Sequence, residues 1–268
     1  MQLLSTSFTD IQTVELAFYE LGEAKISSNP VIILHGFFAS SRNWRQIADK
    51  LSLNHHVYVL DMRNHGVSPH HMNMDYPSMA ADLLAFMDAH NINTANLLGH
   101  SMGGKVAMWL ALSYPNRVNK LLVADIAPVK YQHSFNKLIT ALKSLPLAAL
   151  KNRKQAEQWL EHDIPELTYR QFLLQNLVLN EGEYVWRVNL DIFYANGDNI
   201  IGFPEVNTVK PYQGEALFLA GGNSNYVCIN QISGLFPTAQ LTVIEAAGHW
   251  LHVQQPVDFL KKIEAYLT

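Results

Sequence analysis

The sequence predicts an α/β fold in which a mostly parallel central sheet carries helices on both faces and a helical cap insertion interrupts the pattern. Three observations lead to this prediction. Short apolar runs recur along the chain, segments of helical length separate them, and one long interval lacks a clear buried strand. Strands that alternate with helices form parallel sheets, because each helix returns the chain to begin the next strand in the same direction. A chain of 268 residues with 49% hydrophobic and 16% charged residues can bury the core of such a sheet.

Each predicted strand is a run of four or five mainly apolar residues, which is typical of strands buried on both faces. The predicted strands are residues 31–34, 56–60, 95–98, 120–124, 216–220 and 241–244. Glycine or polar residues follow most of them, for example His35 and Gly36 after the first run and Asp61 after the second. Open α/β sheets place their functional sites at this end of the strands.

Apolar residues at helical spacing predict the helices between the strands. The predicted helices are residues 44–51, 78–90, 102–113 and 257–267. Residues 128–205 are mainly helical in pattern, and we expect them to form a cap over the strand ends, with residues 1–127 and 206–268 as the core. The alternative is that residues 128–205 are ordinary crossover helices of an uninterrupted sheet.

Composition argues against several classes of protein. The net charge of −4 is unlike that of a nucleic-acid-binding protein, which needs a dense cationic surface. No run of about 18 uncharged apolar residues predicts a membrane span, and residues 1–6 lack a basic segment followed by an apolar one. We therefore expect a cytoplasmic protein with no membrane span, and the sequence predicts no particular oligomeric state.

The strongest local signal is Gly-His-Ser-Met-Gly at residues 99–103, between a predicted strand and a predicted helix. Glycine on both sides permits a sharp turn that exposes the Ser101 hydroxyl as a nucleophile. The same turn places the Met102 N–H at a helix start, where it can stabilise an oxyanion. The alternative is a glycine-rich turn with a passive capping serine.

A serine hydroxyl needs a base to act as a nucleophile at neutral pH. His249 follows the last predicted strand and precedes the final helix, so it can reach across the strand ends toward Ser101. His252 is the local alternative, and His100 is expected to pack or to form hydrogen bonds within the elbow. Adjacent histidine pairs elsewhere have no carboxylate at ligand spacing, so we predict no metal site.

The loop after the first predicted strand, His35-Gly36-Phe37-Phe38, is placed to supply a second oxyanion donor, the Phe37 N–H. A plain glycine turn is the alternative.

The acid that would orient His249 requires a choice. The usual loop, after residues 216–220, reads Gly-Gly-Asn-Ser-Asn-Tyr and contains no carboxylate. Asp125 ends the strand that follows the nucleophile helix and is the best remaining carboxylate. We predict that Asp125 is the acid and that Ser224 is a second hydrogen-bonding partner of His249. The alternative role of Asp125 is a helix cap or loop anchor.

These segments together resemble the α/β-hydrolase superfamily, and specifically the bacterial YbfF-type esterases and their mitochondrial relatives. The likeness covers nearly the whole chain outside residues 128–205. It rests on residues 35–37, 61–69, 99–105, 125–128, 221–226 and 248–250. The resemblance implies an α/β-hydrolase fold and esterase activity, and it supports Asp125 together with Ser224 in place of an acid after the later strand.

The expected reaction is hydrolysis of a small-molecule carboxylic ester or acyl thioester without a cofactor. The alternatives are cleavage or lysis of carbon–carbon bonds on the same triad, and a hydrolase-like module that binds a ligand without turnover. Candidate substrate contacts are residues of the two loops and aromatic residues nearby or in the insertion, and the favoured alternative for those in the insertion is a place in the core. These candidates are His35, Gly36, Phe38, His100, Trp159, Trp186 and Trp250.

Six basic residues and no acidic residue lie between Asp125 and Glu157. This strip is either a solvated helix face or a surface that attracts a phosphate-bearing leaving group such as coenzyme A, which would make the enzyme a thioesterase.

Overall fold

A seven-stranded sheet forms the centre of the computed structural model, which describes Phe8, residues 10–23 and residues 29–268. In the described residues the strands are β1 (Phe18–Leu21), β2 (Val31–Leu34), β3 (Val57–Leu60), β4 (Ala95–His100), β5 (Val118–Ala124), β6 (Leu177–Asn180), β7 (Glu183–Trp186), β8 (Glu215–Gly221) and β9 (Gln240–Ile244). The seven strands of the central sheet lie in the order β1-β3-β2-β4-β5-β8-β9, and among these seven described strands only β1 runs antiparallel to its neighbour. The predicted mostly parallel sheet is therefore confirmed.

Helices cover both faces of this sheet, as predicted. In the described residues the helices are α1 (Arg45–Leu51), α2 (Tyr76–Ala89), α3 (Met102–Ser113), α4 (Asn136–Lys143), α5 (Arg153–Trp159), α6 (Leu167–Leu174), α7 (Leu190–Ala195), α8 (Gly197–Ile201), α9 (Ile229–Ile232), α10 (Leu251–Gln254) and α11 (Pro256–Leu267). Successive strand residues point to opposite faces. Ile32 packs with α2 and α3, whereas Ile33 packs with α1 and α11.

The register of the parallel strands brings the candidate residues to one edge of the sheet. His100 of β4 pairs with Ala124 of β5, and Ala124 pairs with Leu219 of β8. Ser101 and Asp125, the residues that follow the paired positions, therefore lie on neighbouring strands at the carboxyl edge. This edge is where open α/β sheets place their sites.

β1 is not among the predicted strands. Its four residues alternate between exposed and half-buried positions, and it lies at the edge of the sheet. A short edge strand of this kind has no continuous apolar run, so the pattern that reveals the central strands is missing.

Between β5 and β8 the chain forms the helices α4 to α8 and also a hairpin of β6 and β7. The helical pattern does not indicate this hairpin. Its two-residue turn is Glu181-Gly182, and both residues have positive φ angles, 50° and 90°, as the favoured hairpin turns require. Leu177 is buried, but the other strand residues are exposed or half-buried, which explains the weak signal. The cap boundaries at 128 and 205 stay a prediction.

Within the described part of the chain, the helices are too short or too polar to cross a bilayer. Residues 1–6, on which the expectation about targeting rests, lie outside the described residues. The cellular compartment therefore stays a prediction.

Candidate active site

Ser101 occupies a strained turn between β4 and α3. Its φ and ψ angles of 51° and −119° lie in a region that residues other than glycine rarely adopt. The neighbouring glycines permit close backbone contacts. A side chain on Gly99 would meet the Gly103 carbonyl oxygen at 2.3 Å, and one on Gly103 would meet the Leu34 carbonyl oxygen at 2.3 Å. The turn fixes Ser101 at the wall of a cavity.

Hydrogen bonds join Ser101, His249 and Asp125 in a chain. The Ser101 Oγ lies 3.1 Å from His249 Nε2, and His249 Nδ1 lies 2.8 Å from Asp125 Oδ2. Because an ionised carboxylate only accepts hydrogen bonds, Nδ1 donates to Asp125 and Nε2 is left to accept from the serine hydroxyl. The Tyr226 ring stacks on the imidazole with ring centres 4.3 Å apart, a contact that no sequence pattern indicates. The structure thus brings together the three residues that sequence reasoning selects.

Asp125 is fully buried and has a positive φ of 51°. Its Oδ1 accepts the Gly221 N–H at 2.9 Å, and its Oδ2 accepts the Ser224 hydroxyl at 2.5 Å. The sequence predicts that Ser224 bonds His249, and the structure corrects this. The Ser224 N–H bonds the Gly221 carbonyl and closes a turn. Both ends of this turn donate to the Asp125 carboxylate, so Ser224 binds Asp125 and not His249.

The other two histidines considered for the site have different surroundings. His252 stacks on Trp44 at 4.2 Å, and its ring centre lies 6.0 Å from that of Phe259. Burial lowers the pKa of His252 to about 3, so it is neutral at physiological pH. The Nε2–H of His100 donates to the carbonyl oxygen of His249 at 2.8 Å. His100 therefore holds the backbone of His249, consistent with the packing and hydrogen-bonding role expected for it.

The two candidate oxyanion donors, Phe37 and Met102, line the same cavity as Ser101. Met102 is the first residue of α3, where N–H groups have no intrahelical acceptor. The next N–H along this loop, that of Phe38, already donates to His65 Nε2 at 3.2 Å. It is therefore not a candidate oxyanion donor.

The cavity has a volume of about 770 Å³ and a mainly apolar wall. Among the predicted substrate contacts, Gly36, Phe38, His100 and Trp250 line it. Much of the remaining wall comes from the segment between β5 and β8, and α2 contributes Tyr76. The residues from the segment include Tyr131, Phe135, Leu138, Phe172 and Ile201. Such a wall suits an apolar group of a ligand.

The other three predicted contacts lie elsewhere. His35 is fully buried behind its loop, where its Nε2 accepts the Met62 N–H at 3.0 Å and its Nδ1–H donates to the Gly36 carbonyl at 2.8 Å. Trp159, in the last turn of α5, is 54% exposed. Trp186 borders a separate depression, together with Lys143 and Leu190. A pattern of apolar residues along the chain does not show whether Trp159 and Trp186 face the cavity.

Lys105 is a residue of the cavity wall that sequence reasoning missed. It is 1% exposed, and its ammonium group donates to the carbonyl oxygens of Val129 at 2.8 Å, Ile201 at 2.9 Å and Gly202 at 2.5 Å. The ammonium also lies 4.8 Å from the centre of the Tyr131 ring. Burial lowers the pKa of Lys105 to about 7. Its sequence signal is a lone lysine in an otherwise apolar helix, which indicates a buried charge that needs partners.

Comparison with known proteins places the chain among hydrolases. Residues 29–256 match a family model described as the alpha/beta hydrolase fold. The chain is 38% identical over 260 residues to the sn-1-specific diacylglycerol lipase ABHD11 of Danio rerio, with 93% of this chain and 81% of that protein covered. It is 36% identical over 246 residues to Esterase YbfF of Escherichia coli strain K12, with 90% and 94% covered. The solved structure of a marine microorganism esterase superposes with a TM-score of 0.89 at 42% identity, covering 95% of this chain and 100% of that one. The resemblance seen in the motifs is confirmed.

Proposed function

Because this chain belongs to the α/β-hydrolase fold family, we propose that it hydrolyses carboxylic esters through an acyl-enzyme intermediate on Ser101. Relatives named esterase and lipase support ester hydrolysis as the general reaction. The observation that carries the mechanism is the continuous hydrogen-bond chain from Ser101 through His249 to the buried carboxylate of Asp125.

In this mechanism His249 Nε2 takes the hydroxyl proton while Ser101 Oγ attacks the acyl carbon. The carboxylate of Asp125 stabilises the imidazolium that forms, and the N–H groups of Phe37 and Met102 bind the oxyanion of the tetrahedral intermediate. His249 then gives its proton to the departing alcohol, and the acyl group stays on Ser101. Water attacks this ester with His249 again as base, which releases the acid and restores the serine.

The substrate we favour has an apolar acyl group, because aromatic and aliphatic side chains dominate the cavity wall. By its name, the Danio rerio relative acts on diacylglycerol. A diacylglycerol is an ester of this kind, and we propose it as one candidate substrate beside simple acyl esters.

A serine-directed fluorophosphonate probe and a series of p-nitrophenyl esters test the proposal. We expect the wild type to be labelled and to hydrolyse the esters, and we expect Ser101→Ala to lose both properties. Ester hydrolysis that survives in Ser101→Ala would refute the assignment of the nucleophile. A wild type that is neither labelled nor active would instead favour a module that binds ligands without turnover.

A second candidate function is hydrolysis of a thioester with a phosphate-bearing leaving group. An arginine group of Arg42, Arg153 and Arg187 favours it, because the charges of these residues act on one another. Arg153 donates to the Leu177 carbonyl at 2.7 Å, and the backbone N–H of Arg187 donates to the Asn176 carbonyl at 2.8 Å. Asn43, the residue after Arg42, donates through Nδ2 to Gln175 Oε1 at 2.9 Å, and both of these residues line the cavity. Burial, together with the charges of Arg42 and Arg153, lowers the pKa of Arg187. A phosphate would relieve this mutual repulsion.

Of the basic strip between Asp125 and Glu157, Arg153 belongs to the arginine group that we propose to bind the phosphate, whereas Lys143 is paired with Asp191 at 2.5 Å.

Replacing Arg42, Arg153 and Arg187 by glutamine should raise KM for an acyl-coenzyme A about tenfold or more, because charged hydrogen bonds are lost. The KM for the same acyl group on a neutral thiol should stay the same. Lys261→Gln, at an exposed position of α11, is the control. Equal changes for the two thioesters would exclude a phosphate subsite.

A further inference from the structure

Phe38, in the loop that carries one of the proposed oxyanion donors, has a backbone conformation that its residue type disfavours. Its φ is 61°, and its side chain is 2% exposed. A bulky residue with positive φ persists only where the surroundings hold it. The Ala39 N–H donates to the Gly36 carbonyl at 3.1 Å, so Phe37 and Phe38 are the two central residues of one turn. Holding Phe38 in its conformation therefore holds the whole turn, including the peptide that carries the Phe37 N–H.

Both backbone polar groups of Phe38 are held by side chains. The N–H donates to His65 Nε2 at 3.2 Å, and the carbonyl oxygen accepts the Asn176 Nδ2–H at 2.7 Å. His65 Nδ1–H donates to the carbonyl of Arg63 at 2.9 Å, and burial lowers the pKa of His65 well below its usual value. His65 is thus a neutral imidazole whose Nε2 is fixed as an acceptor.

Asn176 comes from the segment between β5 and β8, two residues after the end of α6. It is 3% exposed. Its own backbone is held within that segment, because its N–H donates to the Leu173 carbonyl at 3.1 Å and its carbonyl accepts the Arg187 N–H at 2.8 Å. The same α6 carries Tyr169 and Phe172, which line the cavity. The position of Asn176 therefore follows the position of the cavity wall.

We propose that Asn176 is a positioning residue that couples the α6 wall of the cavity to the oxyanion loop. An acyl group that packs against Tyr169 and Phe172 steadies α6, and Asn176 then holds Phe38 so that the Phe37 N–H points at the oxyanion. The binding energy of the acyl group is thereby used in the transition state, and a longer acyl group raises kcat. This inference rests on the proposed ester hydrolysis at Ser101.

The main test compares Asn176→Ala with Asn180→Ala, a change of the same kind at an exposed position of β6. Misplacing an oxyanion donor costs up to about 100-fold in rate. We expect Asn176→Ala to lower kcat for a p-nitrophenyl octanoate by about 10- to 100-fold with little change in KM. The ratio of kcat for octanoate to kcat for acetate should fall toward one. Asn180→Ala should behave as the wild type.

A trifluoromethyl ketone that adds to serine supplies the readout that a merely structural role would not move. Its adduct carries an oxyanion, so its affinity should fall by the same factor as kcat. Asn176→Leu, which keeps the side-chain volume and removes the donor, should give the same results if the alanine variant is too unstable to study.

An unchanged kcat ratio in both Asn176 variants, or an unchanged affinity for the ketone, would overturn the inference. Failure of the proposed function has a different signature, because it would appear as esterase activity that survives in Ser101→Ala whatever residue stands at position 176.

Discussion

The carboxyl edge of the sheet and the segment above it, between β5 and β8, are held in place by different interactions. At the edge, Ser101 and Asp125 follow strands that are almost entirely buried on both faces. The upper segment meets the core partly through single polar contacts, such as those of Lys105 and Asn176, and the bond from the Tyr76 hydroxyl to the Ile200 carbonyl at 2.6 Å. The register of the sheet therefore positions the Ser101 and Asp125 side chains, whereas a few replaceable contacts determine the shape of the cavity.

The largest expected effect comes from the edge. Asp125→Asn keeps the side-chain shape but leaves the imidazolium without a carboxylate, and we expect kcat to fall about 10⁴-fold, the loss that the same change causes in a serine protease triad. Ser224→Ala removes one hydrogen bond to that carboxylate and should cost roughly 10- to 100-fold at most. Steady-state kinetics with a p-nitrophenyl ester measure both. If Ser224→Ala were the more damaging change, Asp125 would not be the acid.

A smaller effect is expected where the two regions meet. Lys105→Met removes the donors to three buried carbonyl groups, and we expect the free energy of unfolding to fall by about 3 kcal/mol. KM should rise more than kcat falls, because Lys105 does not touch the reacting atoms. Urea unfolding and ester kinetics measure the two quantities, with the exposed Lys137→Met as control. A large loss of kcat at constant KM would show that the chemistry depends on this contact after all.

The third effect is a loss of stability in acid that we expect from the buried His252. The unfolded chain binds a proton at His252 near pH 6.5, but in the folded protein burial lowers this pKa to about 3. Below pH 6.5 the unfolded state therefore binds more protons, and stability falls as the pH falls. At pH 4.5 this one histidine should cost about 2 to 3 kcal/mol. Denaturant unfolding at pH 7 and 4.5 should show a smaller acid loss in His252→Phe, and identical losses would contradict the assignment.

The parts that could be predicted from the sequence are those with a repeating or local signal. The central strands are continuous apolar runs because both faces are covered, and Ser101 stands in a motif whose glycines are required by contacts of 2.3 Å. The place of Asp125 at the end of a strand predicts its role as the acid. In contrast, the partner of Ser224 depends on a turn whose path the residue types do not specify.

The unpredicted parts depend on contacts between distant segments. Trp159 and Trp186 are apolar at helical or strand positions, but the pattern does not show that Trp159 is exposed or that Trp186 borders a separate depression. His65 and Asn176 lie far apart in the chain, and both bind the backbone of Phe38. The partners of Lys105 at positions 129, 201 and 202 are also distant in the chain. Lys105 itself carries a sequence signal, since a charged residue within an apolar helix must find partners when the helix is buried.

Lys105 binds backbone carbonyl groups, and every amino acid carries one. Replacement of the side chains at positions 129, 201 and 202 therefore leaves the attachment of the upper segment chemically intact. The residues that shape the cavity are free to diversify while the upper segment keeps its anchor. A scaffold of this kind lends itself to changes of substrate range through mutation of the segment alone, with the sheet edge and its chemistry left as they are.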